Sequence, residues 1–406
     1  MNETSQTPPQ VSYGELARFF LRFSLTAFGG PVAHLALAEE QIVVRRKWLT
    51  REHYLDLIAA TNLIPGPNST EVMIHVGYML RGIPGAVVAG ACFIGPAFLL
   101  TLVLSVLYVS TGGIPQVESI LWGIKPVIVA IIANVGYRLI RSALDTRALW
   151  ILFAACLVAI VVLNVHEVIV MMAAGVIYGA YRARPKVISP MILIPPLYGV
   201  GRGLGGGDYS LRLFAQPLLQ AAQTIPVSLF DIFFYFLKIG SVLFGSGYVL
   251  FAYIQQDVVN GFKWLTPQQL LDAIAIGQIT PGPVSTTTAV IGYIIAGIPG
   301  AFAASLGIFL PSFVLVILTA PLIPKMRQNA FLGGFLSGVN AGVIAAILVT
   351  LADLAWASIR TVDGAALSPV AVLVMLGALL LLLRTKINPT WLILAGGIIG
   401  LVAGLL

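Results

Sequence analysis

Charge is what this 406-residue chain has least of: Asp, Glu, Lys and Arg make up 10% of it, against 58% hydrophobic residues. With a mean hydropathy of +0.96, that balance excludes a soluble globular domain and fits a polytopic helical membrane protein embedded in a lipid bilayer. Cysteine is almost absent. Cys92 and Cys156 each lie inside an apolar run, which excludes a disulfide framework. His34 and His75 have no partner at metal-ligand spacing, so no metal site is read. The chain has no GxxxxGK[ST] motif, so ATP bound here is not expected to drive it. The string Gly201-Arg202-Gly203-Leu204-Gly205-Gly206 lacks the preceding strand of a dinucleotide site and reads as linker. No cofactor is expected. The polar start, MNETSQTPPQVSYGELARFF, has no basic n-region or cleavage site and is not read as a signal peptide.

Apolar length is what the chain has in quantity, enough for roughly ten to twelve spans of about 20 residues. The excess of 23 Lys and Arg over 16 Asp and Glu is expected in cytoplasmic loops and not at nucleic acid. Two of the apolar stretches are interrupted by a Pro-Gly-Pro that a continuous helix does not tolerate, Pro65-Gly66-Pro67 and Pro281-Gly282-Pro283. Backbone groups freed at membrane depth must face protein, a cavity or a ligand. The two stretches are copies. Phe28-Gly29, Lys47-Trp48-Leu49-Thr50, Asp56 and Pro65-Gly66-Pro67 recur 216 positions later as Phe244-Gly245, Lys263-Trp264-Leu265-Thr266, Asp272 and Pro281-Gly282-Pro283. Gly82-Ile83-Pro84-Gly85 returns as Gly297-Ile298-Pro299-Gly300, 215 positions on.

The expected organisation is an N-terminal tail (1–14), a first membrane repeat (15–180), a cytoplasmic linker (181–225) and a second repeat (226–406). Segment one, from about Glu15 to about Leu37, is expected to span. The basic loop at 45–51 and the arginines at 138–147 fall inside only if 52–81 dips in and returns. Each half then holds five spans and one re-entrant hairpin. An odd number inverts the second half relative to the first, giving an all-α fold of about ten transmembrane helices plus two broken hairpins, with both termini outside. Inverted repeats with broken helices are a recurrent plan of secondary transporters.

A half-helix that starts inside a membrane turns its free N–H groups and positive dipole end toward a cavity, favouring an anion. Asn68, Ser69 and Thr70 follow the first break; Ser285, Thr286 and Thr287 follow the second. Their side chains either cap their own helices or donate to an oxyanion. Arg22 maps onto Lys238 at the same offset of 216, and the pair either offsets the charge of a dianion or snorkels to headgroups. Glu71, with a threonine as its counterpart, is a candidate proton carrier or an ion-pair partner. Asn62, Gln278, Lys125 and its counterpart Asn340 are expected to hydrogen-bond between helices, the alternative being that they line the pathway. Membrane-embedded enzyme chemistry is disfavoured, because no paired carboxylates occur and the one His beside an acid in a loop is His166-Glu167.

FGGPVAH (28–34), KWLT (47–50), LIPGPNSTE (63–71), GIPGA (82–86), FGSGY (244–248), the second KWLT, ITPGP (279–283) and IFLPSF (308–313) occur in this order. In these the sequence resembles the chromate ion transporter family, in its long two-domain form. The resemblance implies a multi-pass protein of the bacterial inner membrane that exports chromate and confers resistance to it. It marks Gly29, Gly30, Pro31, Pro65, Gly66, Pro67, Asn68, Gly245, Gly247, Pro281, Gly282 and Pro283 as motif residues. Ser285 departs from the pattern, standing where family members commonly carry an aromatic residue. A sulfate-like oxyanion as substrate, an anion channel and a homodimer remain open at this point.

Overall fold

The computed structural model describes residues 11–111, 114–183, 227–244, 247–322, 329–360, 366–385 and 387–404. Gly245 and most of the expected linker lie outside the described residues. Among those described, helices carry the architecture and no strand forms.

The first apolar segment does not cross in one pass. Helix α1 (Tyr13–Thr26) stops before Gly29 and Gly30, whose φ values of +100° and +82° suit glycine and end the helix. Pro31 then opens α2 (Pro31–Ala38), which continues as a π-helical stretch to Arg45. That second arm returns beside the first: Arg46 lies 3.8 Å from Glu15, and its guanidinium sits 4.9 Å from the Phe19 ring centre. Helix α3 (Arg51–Thr61) enters next, capped by the Thr50 hydroxyl, and the chain turns at Pro65-Gly66-Pro67.

Helix α4 (Asn68–Thr111) leaves that turn and is itself two helices, joined where Arg81 (φ −145°, ψ 19°) and Gly82 (φ 63°, ψ −153°) leave helical geometry. At this kink the Arg81 guanidinium donates to the Val11 carbonyl and covers the Tyr13 ring. Two broken hairpins, 13–45 and 51–81, therefore open on one arginine-rich face. The start of α1 stands on that face beside the basic loop, where an uninterrupted first segment would have put it opposite.

Beyond the kink come the rest of α4 and the long α5 (Pro115–Ala143), followed by the shorter α6 (Arg147–Val161) and α7 (Glu167–Arg182). The plan then repeats. Helix α8 (Leu229–Val242), α9 (Val249–Tyr253, continued as a π-helical stretch to Gly261) and α10 (Pro267–Ile279) lead to the second Pro-Gly-Pro. Helix α11 (Thr287–Thr319) follows a 3-10 turn at Val284–Thr286, and α12 (Ala330–Ser358), α13 (Pro369–Arg384) and α14 (Pro389–Ala403) complete the chain.

Sequence copies are backbone copies. Lys47 and Lys263 both take left-handed φ, 53° and 55°. The kink in α11 at Ala296 (φ −145°, ψ 28°) and Gly297 (φ 63°, ψ −153°) repeats that in α4.

Four segments among the described residues are long and apolar enough to cross a membrane: Asn68–Thr111, Pro115–Ala143, Val284–Thr319 and Ala330–Ser358. Their packing relies on small residues, as expected where lipid removes any hydrophobic gain from helix association. A Cβ on Gly123 would lie 2.2 Å from the Gly396 carbonyl, and one on Gly338 would lie 2.2 Å from the Ala174 carbonyl. Through such contacts α14 lies on α5 and α12 on α7. The corresponding helices α4 and α11 run antiparallel: Phe98 packs on Phe302 at 4.8 Å between ring centres, while Gly90 lies farther along against Phe313.

Candidate functional site

The broken segments of the two halves meet, and each is held by the other. The Gly66 N–H donates to the Leu243 carbonyl at 2.6 Å, and the Gly282 N–H donates to the Ala27 carbonyl at 2.9 Å. Gly66 and Gly282 are counterparts in the sequence repeat, as are Ala27 and Leu243, so the contact is reciprocal. Backbone freed by the interruptions is thereby satisfied across the repeat boundary, which answers the demand that a break at membrane depth makes.

Flanking groups tighten this crossing. His34 Nε2 donates to the same Ala27 carbonyl at 3.0 Å. The Tyr248 hydroxyl lies 3.1 Å from where a Cβ on Gly30 would stand, and it reaches Gln278 Oε1 at 3.5 Å. Gly247 sits beside Val284 and Ser285, 3.6 and 3.8 Å from its missing Cβ. Pro31, Pro67 and Pro283 each introduce a helix start here. Pro65 and Pro281 precede the left-handed glycines, Gly66 at φ 146° and Gly282 at φ 101°.

Both sets of hydroxyls expected after the breaks are at the crossing. Ser69, Thr70, Ser285, Thr286 and Thr287 are all at most 2% exposed. They divide by partner. Thr286 and Thr287 donate back to the carbonyls of Pro283 and Val284 at 2.7 and 2.8 Å, within their own turn. Thr70 and Ser285 have buried hydroxyls with no hydrogen-bond partner among the described residues. Asn68 accepts from Thr61 Oγ1 at 3.0 Å and donates to Asn62. Asn62 is exposed and Asn68 half-buried, whereas positions 284–288 are buried, so the crossing is more open on the first-half side.

Glu71 is fully enclosed, and neither carboxylate oxygen has a hydrogen-bond partner among the described residues. Oε1 lies 2.0 Å from the position a Gly66 Cβ would take, and the unpaired Ser312 hydroxyl lies 2.8 Å from that same point. One turn on, His75 is also fully buried, with both ring nitrogens unpartnered among the described residues. Ser24, whose hydroxyl lies 3.4 Å from where a Cβ on Gly282 would stand, Ser312 and His75 are site residues that the sequence reading does not single out. Ser24 and Ser312 are ordinary helix residues until the opposite half packs on them.

Arg22 and Lys238 are not brought together with the helix starts. Arg22 is exposed on α1 in a groove with Arg18 and Arg46. Lys238 is 56% exposed and 3.9 Å from Asp257, which also pairs with His166 at 2.9 Å. A pair so long and exposed contributes little. Lys238→Gln should therefore change stability by less than about 0.5 kcal/mol, read as an almost unmoved thermal midpoint; a larger loss would mean that this lysine is buried in the working protein.

A different buried pair crosses the halves: Lys125 Nζ lies 2.9 Å from Asp272, and the Tyr108 hydroxyl donates to Asp272 at 3.0 Å. The expectation that Lys125 bonds between helices is met, with the repeated aspartate as its partner.

The profile of the family described as Chromate transporter matches residues 14–180 and 230–401. The chain belongs to the chromate transporter family. The transporter is similar to the chromate transport protein of Cupriavidus metallidurans, 32% identical over 404 residues that cover 98% of this chain and 94% of the relative. It is similar to the chromate transport protein of Pseudomonas aeruginosa, 29% identical over 98% of this chain and 94% of that one. The probable chromate transport protein of Synechococcus elongatus is 29% identical over 84% of this chain and 85% of its own. These relatives are transport proteins, and the transporter is not an enzyme. No solved structure matches it.

Proposed function

We propose that this transporter exports chromate across the bacterial inner membrane and so confers resistance, working as two inverted repeats that rock about their crossing. The observation that carries the reading is the reciprocal docking of the two Pro-Gly-Pro turns on the opposite half, with unpaired buried hydroxyls beside each. Antiparallel packing of the corresponding helices α4 and α11 supports inversion. Because the first segment folds back as a hairpin, inversion does not follow from an odd number of spans per half. The arginine-rich face, with Arg45, Arg46, Arg51 and Arg81, is the cytoplasmic one if basic residues lie inside.

A tetrahedral dianion is held between the start of α4 (Asn68, Ser69, Thr70) and the turn that opens α11 (Ser285, Thr286, Thr287), each offering a positive helix end and one free hydroxyl, of Thr70 and of Ser285. The hydroxyls at this point are buried from solvent. Leaving a cell whose interior is negative, a dianion gains about 4.6 kcal/mol per 100 mV, so the potential alone favours export. A carboxylate enclosed without a donor is costly as an anion. That cost supports Glu71 as the carrier of an exchanged proton.

Uptake of radiolabelled chromate into inside-out vesicles at clamped potential, with sulfate as competitor, tests the reading. Saturable entry is expected, with sulfate inhibiting as a dianion of the same shape. Thr70→Val/Ser285→Ala should lower it by roughly a hundredfold or more, the loss of two hydrogen bonds to a charged group at about 1.5–3 kcal/mol each. Absence of chromate flux in the intact protein would remove the substrate assignment. Glu71→Gln should keep potential-driven flux and lose its stimulation by a pH gradient; unchanged proton dependence would take the coupling role from Glu71.

A further inference from the structure

The groove that holds Arg22 has a composition of its own. Ser12, Glu15, Arg18, Phe19 and Arg22 from the start of α1 and Arg46 from the following loop line a space of about 480 Å3. Arg18 and Arg22 are four residues apart on one helix, so their side chains share a face, and neither guanidinium has a partner among the described residues. Arg46 is braced by the rings of Phe19 and Trp48, at 4.9 and 5.1 Å, and among the described residues its acid partner is Glu15 at 3.8 Å. Three guanidinium groups against one carboxylate leave an excess of two positive charges.

Deeper along the same strip of α1, Leu21 and Leu25 are 42% and 48% exposed. Polar, then cationic, then apolar follows a phospholipid along its length, from headgroup through anionic phosphate to acyl chains. Arginine forks match phosphate oxygens, and basic pockets at the cytoplasmic boundary of membrane helices suit acidic headgroups.

We propose that this groove is a phosphate-anion site occupied by the headgroup of an acidic phospholipid, with Arg18, Arg22 and Arg46 on the phosphates and Leu21 and Leu25 on the acyl chains. A doubly charged diphosphatidylglycerol matches the charge excess. The inference goes beyond the transport reading and does not rest on it, since the groove is separate from the crossing of the repeats.

The test uses the purified full-length chain in detergent, with lipid retention read by native mass spectrometry and the thermal midpoint read alongside. Diphosphatidylglycerol should be retained and raise the midpoint, while phosphatidylcholine should do neither. Arg18→Gln/Arg22→Gln should weaken retention at least tenfold, Arg22→Gln alone by a few-fold, and the distant Arg141→Gln not at all. Equal retention by the double variant would overturn the proposal. Stabilisation by inorganic phosphate at the same phosphate concentration, with none added by the lipid, would reassign the groove to a free anion and overturn the lipid assignment. Because the readout is binding, it is indifferent to whether chromate is the transported ion.

Discussion

Gly282→Ala is expected to abolish chromate flux while its near neighbour in the repeat plan, Gly297→Ala, keeps most of it. Both glycines have left-handed φ, 101° and 63°, so both substitutions carry a backbone strain of about 1–3 kcal/mol. They differ in what surrounds them. A Cβ at Gly282 would lie 2.5 Å from the Ala97 Cβ, a short side chain that cannot swing away, whereas one at Gly297 meets nothing within 4 Å. Overlap in a packed site adds about 1–3 kcal/mol, and it also pushes the turn off the Ala27 carbonyl that the Gly282 N–H reaches. Gly66→Ala should fall between the two, because the atom it meets is the end of the Glu71 side chain. Flux normalised to membrane-inserted protein, with the thermal midpoint measured in parallel, checks the order. Wild-type flux in Gly282→Ala would show that the crossing of the two halves is not required for transport.

Neutralising one member of the Lys125–Asp272 pair should be among the most destabilising single changes in the protein. The two groups lie on helices from opposite halves, 15% and 9% exposed, with Tyr108 completing the acceptor side. Removing one partner leaves the other charge enclosed and uncompensated, a loss of about 3–5 kcal/mol. Asp272→Asn and Lys125→Met should each lower the thermal midpoint strongly. Lys125→Met/Asp272→Leu, which removes both charges, should recover much of the loss, since a buried ion pair contributes little net stability over an apolar replacement. Single variants with near wild-type midpoints would place water at this pair in the working protein. The repeat adds an internal comparison. Asp56, the counterpart of Asp272, lies on α3 in the opposite half, and Asn340 stands where Lys125 has its counterpart, so the two halves are not expected to respond alike.

The sequence by itself determined what depends on short stretches of chain. Partition into lipid follows from runs of apolar residues, and a Pro-Gly-Pro ends a helix wherever it occurs, so the helical membrane class and the two breaks were legible. The constant spacing between Phe28-Gly29 and Phe244-Gly245, and between the two KWLT and Pro-Gly-Pro motifs, exposed the duplication without any knowledge of packing. Family membership followed from the same motifs.

Only the tertiary structure decided what depends on residues far apart in the chain. Gly29 and Gly30 announce a break, but whether the chain then continues across or folds back is set by what the second arm meets, here Arg46 against Glu15 and Phe19. Which carbonyl Gly66 and Gly282 would find lay in the other half. The face of α1 on which Arg22 stands, and the partner that Lys238 takes, follow from how the helices rotate when packed. Hydroxyls that read alike after each break part company for the same reason: Thr286 and Thr287 turn back on their own helix, while Thr70 and Ser285 keep their donors unspent at the crossing. Helix breaking and lipid partition are local properties; mutual satisfaction of the broken ends is a property of two repeats in contact.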